Sequence, residues 1–186
     1  MNEEKRWTGK SSSGDNSKLR RFTLVLALFS AAVLAVACGP GKPDTIWKGT
    51  DFSGAEVDFP AVLQGKPTVL IFWATWCPYC RAFMPYLGEI QKDYGADKIN
   101  VLAIDVFEDG EIDPAAYLEA LGFPMIAVAN GDSIAEAYSV RGTPGLMIVD
   151  GQGNIVWKRA STDLPAGKTV AELWAEQVRE QLDRLL

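Results

Sequence analysis

An α/β sandwich, a mixed central β-sheet flanked by helices with a β-hairpin ahead of it, is the fold this sequence predicts. Three observations predict it. Short β-branched and aromatic runs alternate with helix-period segments from Thr68 to Tyr138, the pattern of parallel βαβ crossovers. Two further strand-like runs flank Asp150-Gly151-Gln152-Gly153-Asn154, a strong turn sequence that closes the sheet with an antiparallel hairpin. A hydrophobic fraction of 48% in 186 residues supplies one buried core plus an appendage, with no need of a disulfide scaffold from three cysteines.

The elements follow in chain order. Residues 1–17 are polar and rich in Ser and Gly. Lys18, Arg20 and Arg21 then precede an uncharged apolar stretch over 22–37. Its 16 residues suit the h-region of an export signal better than a spanning helix of ~20. Arg20-Arg21-Phe22 is a weak twin-arginine hint. Leu34-Ala35-Val36-Ala37-Cys38-Gly39-Pro40 resembles a bacterial lipobox, which would make Cys38 the lipid-modified first residue of the mature chain. Ala35-Val36-Ala37 is equally an A-x-A cleavage site, and an uncleaved anchor is the third alternative. All three predict export, hence a compartment in which disulfides form and persist. Residues 1–37 are read as the targeting segment and 38–44 as a Pro/Gly linker, and a single domain spans 45–186.

Within that domain, 46–50 and 55–59 alternate around Asp51-Phe52-Ser53-Gly54 as a hairpin. Residues 68–73 suit a central strand, and Phe83, Tyr86, Leu87 and Ile90 recur at helical spacing to about Tyr94-Gly95. A strand over 99–105 precedes a helix that Asp113-Pro114 opens and that runs to about Leu121. A short strand at 125–128 and a short helix at 133–138 lead to the hairpin strands 146–149 and 155–159. Thr169-Val170-Ala171-Glu172 is a capping box that opens a final amphipathic helix to Leu186. No internal repeat and no later domain boundary is apparent.

Charge and composition exclude several functions. Of 18 basic and 24 acidic residues, six and three fall in residues 1–37, so the remainder stands at −9. So acidic a body is no partner for nucleic acid, which needs a basic face. The chain has no histidine, so the commonest metal ligand and general base is absent. A four-ligand zinc site has no second cysteine pair to use, so no metal and no cofactor is expected. A Pro-x-x-x-Thr-x-x-Cys peroxidase pattern is also lacking.

The chemistry centres on Cys77 and Cys80, two thiols separated by two residues where a strand pattern gives way to a helix pattern. That spacing suits reversible disulfide exchange, one thiol attacking and the other resolving the mixed intermediate. Pro78 starts the helix, which places Cys77 at its N-terminus, where the dipole and free N–H groups stabilise a thiolate.

Trp73-Ala74-Thr75-Trp76-Cys77-Pro78-Tyr79-Cys80, with Arg81, Phe83 and Pro85 after it, resembles the active site of the thioredoxin superfamily. The hairpin, the lead-in Ala61-Val62-Leu63-Gln64-Gly65-Lys66 and the tether resemble its TlpA/ResA-like branch, as does the insertion from Phe123-Pro124 to Tyr138. Val140-Arg141-Gly142-Thr143-Pro144 matches the family's cis-proline loop. The resemblance spans about residues 44–186. It implies a membrane-tethered thiol–disulfide oxidoreductase facing the periplasm or the extracellular side. Its substrates would be protein thiols and disulfides, and a membrane electron donor would supply it. Reduction of extracytoplasmic cysteines, for example in cytochrome c maturation, is the implied direction. A general disulfide oxidase or isomerase and a redox-inert binding module are the alternatives.

The resemblance further implies Cys77 as nucleophile and Cys80 as resolving thiol. Trp76, Pro78, Tyr79, Thr143 and Pro144 would form the substrate surface, with Trp73 in the core. Two positions depart from the family. Ile71 stands where thioredoxins carry a buried acid, and Phe83 where ResA-like members carry a glutamate. Asp105 and Glu108, at the end of the second central strand, are the candidate proton relay in their place, against the plainer reading as solvated loop acids.

Overall fold

The computed structural model describes residues 45–160 and 163–186. The targeting segment, Cys38 and the linker lie outside the described residues. Among the described residues no helix is long and apolar enough to cross a membrane.

Strand β3 (Thr68–Trp73) is buried along its whole length, as its unbroken run of β-branched and aromatic residues requires. It pairs parallel with β4 (Asn100–Asp105), Ile71 opposite Ala103, and antiparallel with β6 (Gly145–Val149), Ile71 opposite Leu146. With β5 (Ile126–Val128) and β7 (Ile155–Lys158) at the edges, the order is β5-β4-β3-β6-β7. The ladder between β6 and β7 carries a register shift at Ile148/Val149. Helix α1 (Pro78–Tyr94) crosses from β3 to β4 and helix α2 (Pro114–Ala120) from β4 to β5, giving the expected mixed sheet. The hairpin of β1 (Trp47–Thr50) and β2 (Glu56–Phe59) forms a separate two-stranded sheet. Helix α3 (Asp132–Ala137) lies between β5 and β6, and α4 (Val170–Leu182) follows β7.

The period-2 alternation of the central strands sorts the core into two layers. Val69, Ile71, Trp73, Val101 and Ala103 pack with Cys80, Phe83, Leu87, Trp174 and Val178 of α1 and α4. On the other face Leu70, Phe72, Leu102 and Ile104 meet Trp47, Phe59, Leu63 and Ile134. There the hairpin closes the core with stacked Trp47 and Phe59 rings, 5.0 Å between centroids. At its far end α1 is tied to α4 by the Tyr94 hydroxyl, which donates to the Arg179 carbonyl at 3.1 Å.

Element boundaries agree with the sequence to within about a residue except at three places. A 3₁₀ turn, Ala61–Leu63, occupies the lead-in to β3. Phe59–Pro60 is a second cis peptide bond, besides the expected one at Thr143–Pro144. The last helix ends at Leu182 and not at Leu186. There the Arg184 and Leu185 N–H groups turn to the carbonyls of Gln181 and Leu182, the i→i+3 tightening that satisfies a helix C-terminus. Gly151 is required by contact: a Cβ there would sit 2.0 Å from the Gly65 carbonyl oxygen.

Candidate active site

The strand-to-helix junction builds the dithiol. β3 ends at Trp73, and Ala74-Thr75-Trp76 carry the chain to Cys77, the N-cap of α1 with extended φ −76° and ψ 110°. Pro78 follows at the first helical position, which needs no N–H donor. The Cys77 sulfur thereby takes the capping role usually played by Ser or Asp, accepting the Cys80 N–H at 3.2 Å. Both cysteines are free thiols. Cys77 is 2% exposed and Cys80 fully buried.

The two thiols are shifted in opposite directions. The Cys77 thiol is lowered to about 6, first by the Cys80 thiol that donates to its sulfur. The Thr143 hydroxyl and the backbone N–H groups of Cys80 and Tyr79 act in the same sense, against burial. Cys80 is pushed far above the usual thiol range, first by the Cys77 sulfur and then by burial. One proton shared between two sulfurs gives this split. The Thr143 hydroxyl is buried and favours the thiolate form at either sulfur.

The expected surface residues surround this pair. Thr143–Pro144 is a cis bond. Trp76 and Tyr79 are 44% and 57% exposed, whereas Trp73 is fully buried and stacks on Tyr117 at 5.4 Å. Tyr79, Thr143 and Pro144 line a groove of about 360 Å³ together with Arg159, Leu164, Val170 and Trp174.

Ile71 and Phe83 are fully buried, so no carboxylate comes from either position. The acids at the end of β4 are placed differently from ordinary loop acids. Asp105 is 5% exposed and pairs in register with Trp73, on the sheet face that carries the cysteines. Its carboxyl is raised to about 7, first by burial and then by the neighbouring Glu108 carboxylate. The Glu108 carboxylate accepts both the backbone N–H and the hydroxyl of Thr75. The Trp76 indole donates to the Phe107 carbonyl at 2.7 Å. The loop after β4 is thus latched to the loop that carries Cys77. Among the described residues, neither acid hydrogen-bonds a cysteine sulfur, and Glu108 reaches the site through Thr75.

Sequence reasoning misses Thr75, Phe107, Arg159 and Trp174. Arg159 is legible there only as the end of a strand. Its guanidinium donates to the Pro144 carbonyl at 2.6 Å and lies 4.6 Å from the centre of the Trp174 ring. The one available signal is an arginine at the end of a strand that returns beside the cis-proline loop.

A thioredoxin-like sheet with a reduced Cys-x-x-Cys at the N-terminus of its first long helix defines a thiol–disulfide oxidoreductase. Residues 40–158 match the AhpC/TSA family, and the chain belongs to it. It is similar to the thiol-disulfide oxidoreductase ResA of a Bacillus cereus strain, 27% identical over 86% of this chain and 94% of that protein. It is also similar to the thiol:disulfide interchange protein DsbE of Tatumella citrea, 31% identical over 75% of this chain and 71% of that one. A solved structure of a putative DsbE from Chlorobium tepidum shares the fold with a TM-score of 0.62 at 20% identity, over 80% of this chain and 99% of that one.

Proposed function

We propose that this enzyme reduces protein disulfides outside the cytoplasm, with Cys77 attacking and Cys80 resolving. The observation that carries the reading is the opposite shift of two thiols three residues apart, which leaves Cys77 as thiolate at neutral pH. In the first step the Cys77 thiolate attacks one sulfur of the client disulfide. The client S–S bond breaks, and its second sulfur leaves as a thiolate. The Cys80 thiolate then attacks the Cys77 sulfur. The mixed disulfide breaks, the remaining client sulfur leaves with the electron pair, and Cys77–Cys80 becomes the enzyme's disulfide. A membrane donor would re-reduce it.

The client chain would lie along Thr143–Pro144, flanked by Trp76, Pro78 and Tyr79. Asp105 and Glu108 would relay protons for Cys80, since a carboxyl raised to about 7 exchanges its proton near neutral pH. The reducing direction, with cytochrome c maturation as the client class, rests on the TlpA/ResA-like resemblance. Export by residues 1–37, with Cys38 as lipid anchor ahead of the domain over 45–186, rests instead on the basic Lys18, Arg20 and Arg21, the apolar stretch over 22–37 and the lipobox-like Leu34 to Pro40.

The deciding measurement is the reduction potential of the Cys77–Cys80 couple. A value near that of thioredoxin, ~−270 mV, supports the reductant, whereas one near that of DsbA, ~−120 mV, overturns it in favour of an oxidase. Insulin reduction is expected to be lost in Cys77→Ser, and activity that survives sinks the nucleophile assignment. Alkylation of Cys77 by iodoacetamide should rise with a midpoint near pH 6, well below the ~8.5 of an ordinary thiol. A mass spectrum of the mature N-terminus tests Cys38, and an unmodified cysteine there removes the lipid anchor.

A further inference from the structure

Cys80 has an electrostatic problem that the first step makes plain. It is fully buried, in a cluster with Trp73, Phe83 and Met84, surroundings that disfavour a thiolate. Once Cys77 is tied up in the mixed disulfide, its negative charge is gone, and burial is what remains to hold the Cys80 proton. Ile71 and Phe83 offer no acid at their positions, and the two acids of the relay, Asp105 and Glu108, carry a proton away without supplying a positive charge to the thiolate left behind.

The structure does hold a fixed cation in the groove that Thr143 and Pro144 line next to the dithiol. The Arg159 guanidinium is pinned by its bond to the Pro144 carbonyl and by the face of Trp174. The edge of the Trp174 ring in turn packs against Phe83 at 5.7 Å, one helical turn from Cys80. Burial lowers the arginine without discharging it, since guanidinium stays protonated in proteins, while charge at Cys80 acts in the opposite sense.

We propose that Arg159 is the positioning residue of the resolving step, a half-buried cation that stabilises the Cys80 thiolate after Cys77 has been consumed and fixes the Pro144 carbonyl of the groove. In that step the Cys80 proton leaves for bulk water by way of the Asp105 and Glu108 relay proposed above. The Cys80–Cys77 S–S bond forms, the Cys77–client S–S bond breaks, and the client leaves as a thiolate. Oxidation of the two enzyme thiols matches reduction of the client disulfide. The inference rests on the roles proposed above for Cys77 and Cys80.

Ellman's reagent separates the two steps in the full-length reduced protein. The first equivalent of thionitrobenzoate reports attack by Cys77, and the second reports attack by Cys80. Arg159→Met should slow the second phase about tenfold at neutral pH, the effect of about one pKa unit. It should move the midpoint of that phase upward and leave the first phase within about threefold. Arg159→Lys, which keeps the charge, should stay within about threefold in both. Equal slowing of both phases in Arg159→Met, an unchanged second phase, or an Arg159→Lys as slow as Arg159→Met overturns the proposal. Where Arg159→Met does not fold, the pH profile of the second phase in Arg159→Lys decides. Superposition on the wild type supports the charge role, and an upward shift removes it. A wild-type protein with no second phase, or a first phase that survives Cys77→Ser, refutes the cysteine roles instead.

Discussion

The two walls beside the cysteine loop differ in sign and in how they act. The sheet order places the end of β4 on one side of β3 and the β6–β7 pair on the other. The β4 wall is acidic, and it grips the loop through backbone and hydroxyl: Glu108 holds Thr75, and the Phe107 carbonyl holds Trp76. The β7 wall is cationic, and Arg159 meets the proline carbonyl and an aromatic face. Acids therefore sit where they fix the geometry of the cysteine loop. The cation sits where a buried thiolate needs a counter-charge, in a medium where charge interactions are several times stronger than in water. The element that carries the thiols supplies neither sign at Ile71 and Phe83.

The sharpest way to break this contrast is to press an acid from α1 against the cationic wall. Phe83→Glu buries a carboxylate against Trp174 and should cost about 3 kcal/mol or more at pH 8. Because the buried carboxyl would be raised, the loss should shrink as the pH falls and the group protonates. A variant as stable as the wild type in urea at pH 8 would show that this wall tolerates negative charge. Removing the acid from the wall that holds it should have the opposite sign. The folded-state value of Asp105, about 7, lies above its ordinary 3.8, so its contribution is favourable below the unfolded value and is lost as the pH rises through 7. Asp105→Asn should thus gain on the order of 2 kcal/mol at pH 8 and little at pH 4. An equal gain at both pH values would mean that ionisation is not the cause. The smallest effect belongs to the latch: Glu108→Gln replaces charged acceptors at Thr75 with one neutral oxygen, a loss of about 1 kcal/mol. A larger loss than that of Phe83→Glu would invert the ranking of the two walls.

Much of this is legible because it is local. The capping thiol at Cys77, the proline after it, the all-buried β3 and the Thr169–Glu172 capping box follow from adjacent residues whose spacing sets their geometry. Asp105 and Glu108 are legible as candidates, but not their burial or their hold on Thr75, which depends on the parallel register of β4 against β3. Arg159 is invisible for the same reason. It sits 79 positions after Cys80, and only the return of β7 beside β6 brings it to the site. The 3₁₀ turn at Ala61–Leu63 and the cis bond at Pro60 lie where Phe59 and Leu63 enter the core against the central strands, and no periodicity announces that.

The open sides of the five-stranded sheet bear on another hazard. An open sheet edge presents unpaired N–H and C=O groups onto which another strand can zip. β5 is only three residues long, and the hairpin reaches over to it with a single bridge from Thr50 to Ala129. β7 has four residues, a register break at Ile148/Val149 beside it, and Lys158 turned back to the Tyr138 carbonyl at 2.8 Å. Neither margin offers a long flat template for another strand to pair with.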